Sequence, residues 1–142
     1  MGQRLMLQAE RDLKFARVVF QPEGYYLTVF LAHQAAEKSL KAAGWHLRGE
    51  EPPWKHGLDH AAQLLVDDPR AIPATVSAAI SVLNPIVEQT RYPSGNVADP
   101  IPSDLVPEHV AQAAIEAAQE VMAWARLLLQ EKPGRLRPRT SS

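Results

Sequence analysis

Apolar positions recur along this chain at intervals of three and four residues in five separate stretches, and none shows a convincing two-residue alternation of a strand. The first predicted helix covers about residues 4–19, with Met6, Ala9, Leu13, Ala16 and Phe20 on one face; Pro22 and Gly24 interrupt it. The second and longest covers about 25–47, where Tyr26, Phe30, His33, Glu37, Leu40 and Gly44 trace a stripe. Arg48-Gly49 followed by Pro52-Pro53 closes it. A short helix is predicted over about 58–66 and stops at Asp67-Asp68-Pro69. The fourth starts near Pro73, a residue suited to a first helical turn, and its buried face continues through Val76, Ile80, Leu83 and Val87. Pro85 falls inside that pattern, where a proline typically costs ~3 kcal/mol in a regular helix, so a kink or break is expected near 80–84. The last helix starts near Pro107, and Val110, Ala114, Ala117, Val121, Trp124 and Leu128 keep the three–four alternation up to Pro133-Gly134.

Short connections between such helices favour an all-α, up-and-down four-helix bundle with one additional short helix. Residues 1–130 form that bundle in this reading, and 131–142 a basic, disordered tail. One connection is not short. Residues 91–106 carry Pro93, Gly95, Pro100 and Pro102, and loops of this length in compact domains are often functional.

Composition narrows the function classes. At 142 residues the chain makes one domain able to bury a core, with 46% hydrophobic and 22% charged residues, as in an ordinary soluble globular protein. It has no cysteine, which removes disulfides, thiolate metal sites and thiol nucleophiles. No apolar run reaches the ~18 residues that span a bilayer, and the first residues lack a signal-peptide core, so a cytoplasmic location without membrane partners is expected. The net charge of −1 hides an asymmetry: Lys132, Arg135, Arg137 and Arg139 stand against Glu131 alone, so residues 1–130 carry 11 basic and 15 acidic groups. A body with a net charge of −4 is a poor platform for non-specific duplex binding.

The candidate chemistry is sparse. Gln34, Lys38 and Lys41 follow one another at i, i+4 and i+7, which puts an amide and two cations on one helix face, with an apolar side opposite. With Lys55 they can receive a phosphate, or they are solvated lysines of an amphipathic helix. No glycine-rich phosphate loop accompanies them, so a nucleotide would be held by side chains between helices. Arg91-Tyr92 follows the fourth helix, where the arginine either meets the last carbonyls or opens an anion-and-ring site. His33–Glu37 and His56–His60 are i, i+4 pairs: the first suits a local helix pair, or an imidazole oriented for acid–base work or a metal, and the second a capped helix start, or a metal shared with a distant carboxylate. Nothing else has metal-ligand spacing, and no metal or cofactor is implied.

Four blocks, in order, resemble the HEPN domains (higher eukaryotes and prokaryotes nucleotide-binding) over about residues 5–128: Ala9-Glu10-Arg11-Asp12-Leu13-Lys14-Phe15-Ala16, Gln34-Ala35-Ala36-Glu37-Lys38-Ser39-Leu40-Lys41-Ala42, His56-Gly57-Leu58 where the family usually has His-Asp-Leu, and Arg91-Tyr92-Pro93. The resemblance implies an all-α bundle, usually a homodimer of the prokaryotic cytoplasm. Many small members work beside a minimal nucleotidyltransferase, often as a toxin–antitoxin pair. Others are metal-independent ribonucleases whose motif is an arginine followed four to six residues later by histidine. Arg91 matches that arginine, but Asn96, Val97 and Ala98 occupy the histidine positions, and His109 lies too far along.

The departure points away from an enzyme. The expectation is a non-catalytic HEPN homodimer that partners a minimal nucleotidyltransferase and contacts ATP or another nucleotide. Lys38, Lys41 and Arg91 would neutralise phosphate, and Tyr92 would pack on a base or fix the loop. Apolar faces rich in Ala, Leu and Tyr on more than one side leave room for the second copy. The first alternative is a ribonuclease toxin, in which Arg91 is catalytic, RNA is the substrate, and His33 or His109 replaces the missing histidine. The second is a structural assembly subunit.

Overall fold

A computed structural model of the chain describes residues 1–51, 57–84, 97 and 106–136, and every regular element among them is helical. In chain order these are α1 (Gly2–Val18), α2 (Tyr25–Arg48), α3 (Leu58–Gln63), a 3-10 turn (Pro69–Ala71), α4 (Ala74–Leu83) and α5 (Glu108–Leu128). Four long helices and a short one assemble into the expected all-α bundle. α2 packs against both α1 and α5, and α4 packs against α5.

α1 buries Met6, Ala9, Leu13 and Ala16, the face its periodicity predicts. The turn into α2 brings Gly24 so close to the Val19 carbonyl that a Cβ there would collide with it. Early in α2, the buried Thr28 hydroxyl donates to the Ala16 carbonyl at 2.8 Å. That carbonyl lies in the last turn of α1, where carbonyls lack a helical partner. Further along, the Lys38 ammonium donates to the Asp12 carboxylate at 2.6 Å, and Gln8 Nε2 donates to the same carboxylate at 3.0 Å. These links run from the end of α1 at the start of α2 back towards its middle, so the two helices are antiparallel.

The α2 stripe expected from the sequence is only partly the core face. Leu40 and Gly44 are buried, but Tyr26, Phe30, His33 and Glu37 are half-buried edge positions. The buried arc holds Val29, Ala32, Ala35, Ala36, Ser39, Ala43 and Leu47 as well. A helix covered on two sides needs a wider buried arc than a surface helix, and alanines supply it while letting the neighbours approach closely. Gly49 ends α2 in the left-handed conformation (φ 74°), where a side chain would be strained.

α4 buries Val76, Ile80 and Leu83 as expected; Val87 lies outside the described residues. α4 ends at Leu83, inside the stretch 80–84 where the break is expected, and Asn84 caps it with its N–H on the Ile80 carbonyl at 2.9 Å. The missing N–H of a proline and the clash of its ring both act on the carbonyl four residues back, which for Pro85 is that of Ser81. Bonds donated by residues up to 84 are therefore untouched. On α5, Ala114, Ala117, Val121, Trp124 and Leu128 are buried, with Val110 half-buried at its start.

The stretch expected as a tail from residue 131 begins as docked chain. The Gly134 N–H donates to the His46 carbonyl at 2.9 Å and the Leu136 N–H to the Leu47 carbonyl at 2.8 Å, with the Leu136 side chain buried. His46 Nε2 donates in turn to the Glu131 carbonyl at 2.7 Å. The last carbonyls of α2 have no acceptor role left inside the helix, and this segment satisfies them.

Asp12 is 7% exposed, so removing its carboxylate strands a half-buried ammonium and an amide. Asp12→Ala is expected to lower stability by about 2 kcal/mol in urea denaturation with an unchanged m value. A loss below a few tenths would show that the contact between α1 and α2 does not depend on this pair.

Candidate functional site

Lys38 and Lys41 stand one turn apart on α2, both half-buried, so the predicted spacing does bring two cations to one side of the bundle. Their surroundings differ. Lys38 is held by the Asp12 carboxylate, itself only 10% exposed. Lys41 Nζ lies 3.5 Å from Glu51 Oε1, a largely exposed carboxylate just past the end of α2. An ion pair with so exposed a carboxylate contributes roughly 0–1 kcal/mol. The buried partner of Lys38 makes that lysine far less available. Arg91 and Tyr92, together with Lys55 and His56, lie outside the described residues.

The short helix beside this region is fixed from both ends. A six-residue helix has little stability of its own, since nucleation is costly and few bonds follow. At its start, Asn84 Oδ1 accepts the otherwise orphaned Leu58 N–H at 3.1 Å, while Asn84 Nδ2 donates to Asp59 Oδ1 at 3.0 Å. Just past its end, Arg48 donates through Nε and Nη2 to the Leu64 carbonyl at 2.9 and 2.6 Å. Leu58, Ala61 and Ala62 bury its inner face. α3 and α4 together border an open cleft of about 420 Å³, with Ala62, Ile72 and Ile80 among its apolar residues and Asp59, Gln63 and Ser81 among its polar ones. Asn84 thus ties the end of α4, from which the chain runs on towards Arg91, to the start of α3.

Sequence reasoning misses these anchors. Asp12 carries a detectable signal, being a charged residue next to Leu13 on the edge of the apolar arc of α1. Asn84 and Arg48 carry none, because each bonds a backbone group more than a dozen residues away.

His33 and Glu37 are half-buried on α2, His60 is half-buried on α3, and His109 is exposed in the first turn of α5. Among the described residues no group of three or more His, Cys, Asp or Glu side chains is placed to hold a metal ion. One carboxylate titrates unusually: the Arg70 side chain, aided by its backbone N–H, holds Asp68 below the ordinary carboxylate range. That pair caps the exposed 3-10 turn and has no neighbour that makes it a site. No helix among the described residues is long and apolar enough to cross a membrane.

Comparison with known proteins follows the same lines. The HEPN domain model matches residues 3–128. Two solved structures share the fold at full length. TT1696 from Thermus thermophilus is 28% identical, with a TM-score of 0.73 over 90% of this chain and 98% of its own. ST0689, an archaeal HEPN homologue, is 27% identical, with a TM-score of 0.68 over 92% of this chain and 98% of its own. No curated protein matches the sequence. With its helix order, its α2 block and a family match over nearly the whole bundle, the chain belongs to the HEPN domain family.

Proposed function

We propose that this HEPN protein is a non-catalytic, homodimeric binding partner of a minimal nucleotidyltransferase, in the manner of a toxin–antitoxin pair, and that it contacts a nucleotide. The observation that carries the reading is the combination of family membership with Asn96, Val97 and Ala98 at the positions of the ribonuclease histidine. None of these three side chains transfers a proton near neutral pH, so the arginine motif lacks its general acid and base.

Within that reading the phosphate contacts divide by availability. Lys41 and Arg91 supply the neutralising charge, and Tyr92 packs on a base or fixes the loop. Lys38 belongs to the same face, but its bond to Asp12 makes it a held cation that adds field rather than a direct contact. The dimer part is supported by a shallow groove between α4 and α5, where Ala78, Val82, Ala113 and Ala117 present small apolar side chains. Val82 is 36% exposed there.

Two outcomes are expected. Titration calorimetry with ATP, alone and with the nucleotidyltransferase, should show binding that Arg91→Ala or Lys41→Ala weakens by about tenfold each, as loss of a charge-assisted contact does. Absence of binding in both settings removes the nucleotide from the proposal. Incubation with single-stranded RNA in EDTA should give no cleavage above an Arg91→Ala control. Cleavage by the wild type alone would favour the ribonuclease reading and direct attention to His33 and His109.

A further inference from the structure

The outward face of α1 has an unusual charge balance for a body that is acidic as a whole. The helix carries Arg4, Arg11, Lys14 and Arg17 against Glu10 and Asp12. Both carboxylates are taken by cations from other helices: Asp12 by Lys38 of α2, and Glu10 by Arg126 of α5 at 3.6 Å. None of the four α1 cations makes an ion pair among the described residues. The face opposite the buried stripe therefore presents Arg4 and Arg11, with Lys14 and Arg17 on a flank that they share with the exposed Glu10.

Between these cations stand three large apolar side chains open to solvent: Leu7 at 48%, Phe15 at 51% and Val18 at 62% exposure. Positions 7, 11, 15 and 18 follow the four–four–three spacing of a helix ridge and span ~16 Å at the rise of an α-helix. In an isolated domain such a ridge would bury itself against a neighbour, or carry polar residues. Here three of its four positions are apolar, Arg11 stands among them, and an excess of positive charge flanks it.

We propose that the outer face of α1 is a docking surface for an acidic amphipathic helix of a protein partner. Leu7, Phe15 and Val18 form the apolar ridge, and Arg4, Arg11 and Lys14 pair with its flanking carboxylates. This contact rests on the reading that the chain acts against a second protein, and it adds the surface and the chemistry by which the two would meet. Charge complementarity selects this occupant. A second copy placed on the same face would set cations against cations, which disfavours it. A nucleic acid has no use for exposed Leu7 and Val18, and it would meet a body whose first 130 residues carry a net charge of −4. An anionic bilayer meets the same repulsion and would gain only three apolar side chains. An acidic helix uses both components, laying its own apolar stripe along the ridge as helices do when they dock on a preformed face.

The test uses the full chain and a fluorescein-labelled acidic peptide, with leucines at three–four spacing and glutamates flanking them, and a scrambled peptide of the same composition. Fluorescence anisotropy should show saturable, salt-sensitive binding of the helical peptide and at least roughly tenfold weaker binding of the scrambled one. Phe15→Ser and Arg11→Glu, both at exposed positions, should each weaken binding by about tenfold, while Arg70→Glu on the exposed 3-10 turn leaves it unchanged. Circular dichroism on each variant confirms that the bundle is folded. Equal binding of both peptides, no binding, or binding insensitive to Phe15→Ser and Arg11→Glu overturns the proposal. So does preferential binding of phosphatidylglycerol vesicles or an RNA oligonucleotide by the same face. A nucleotidyltransferase that fails to copurify while the peptide still binds removes that partner's identity and leaves the surface standing.

Discussion

The structure depends on α2 being covered from two sides. A helix in that position exposes little of its circumference, so each polar group it carries must be satisfied inside the bundle or at its edge. Thr28 reaches the Ala16 carbonyl, Ser39 returns to the Ala36 carbonyl at 2.8 Å, and Lys38 crosses to Asp12. The carbonyls at its C-terminal end are met by the chain that follows α5. The same burial explains the alanines: nearly half of the buried apolar residues described are alanine, concentrated in α2 and α5. Two adjoining helices, and the segment after the last one, are placed by what α2 requires.

Seen from α2, the candidate site and the core are the same problem. The family block from Gln34 to Ala42 reads in isolation as a cationic surface. In the fold it is a half-buried strip in which both lysines meet a carboxylate, Asp12 for Lys38 and the more exposed Glu51 for Lys41. The carboxylate that matches Lys38 also strips the α1 surface of its own anions, together with the reach of Arg126 to Glu10. One buried and one exposed ion pair thus set the available charge on two different faces.

How much of this is legible in the sequence follows from the range of each interaction. Elements written in local periodicity are readable: the buried faces of α1, α4 and α5, the stop at Gly49, and the all-α bundle. The α2 stripe misleads because a single-face template suits a surface helix, and nothing local says that a helix is covered twice. The end of α4 at Leu83 is readable from Pro85, since a proline cannot donate to the carbonyl four residues behind it. Residues 131–136 read as a tail because their composition is basic and proline-bearing; their docking depends on unsatisfied carbonyls more than eighty residues away. Of the candidate site, the pairing of Lys38 with Lys41 is visible in spacing, whereas Asp12, Arg48 and Asn84 act at long range and leave little pattern to read. Arg91 and Tyr92 rest on the sequence alone, since they lie outside the described residues.

The central claim is that this HEPN protein works by binding a second protein and not by cutting RNA. The most direct measurement is native mass spectrometry of the chain coexpressed with the minimal nucleotidyltransferase from the same genome. The account predicts a defined complex containing two copies of this chain together with the nucleotidyltransferase. A chain that appears only by itself at every ratio, as monomer or dimer, would contradict it.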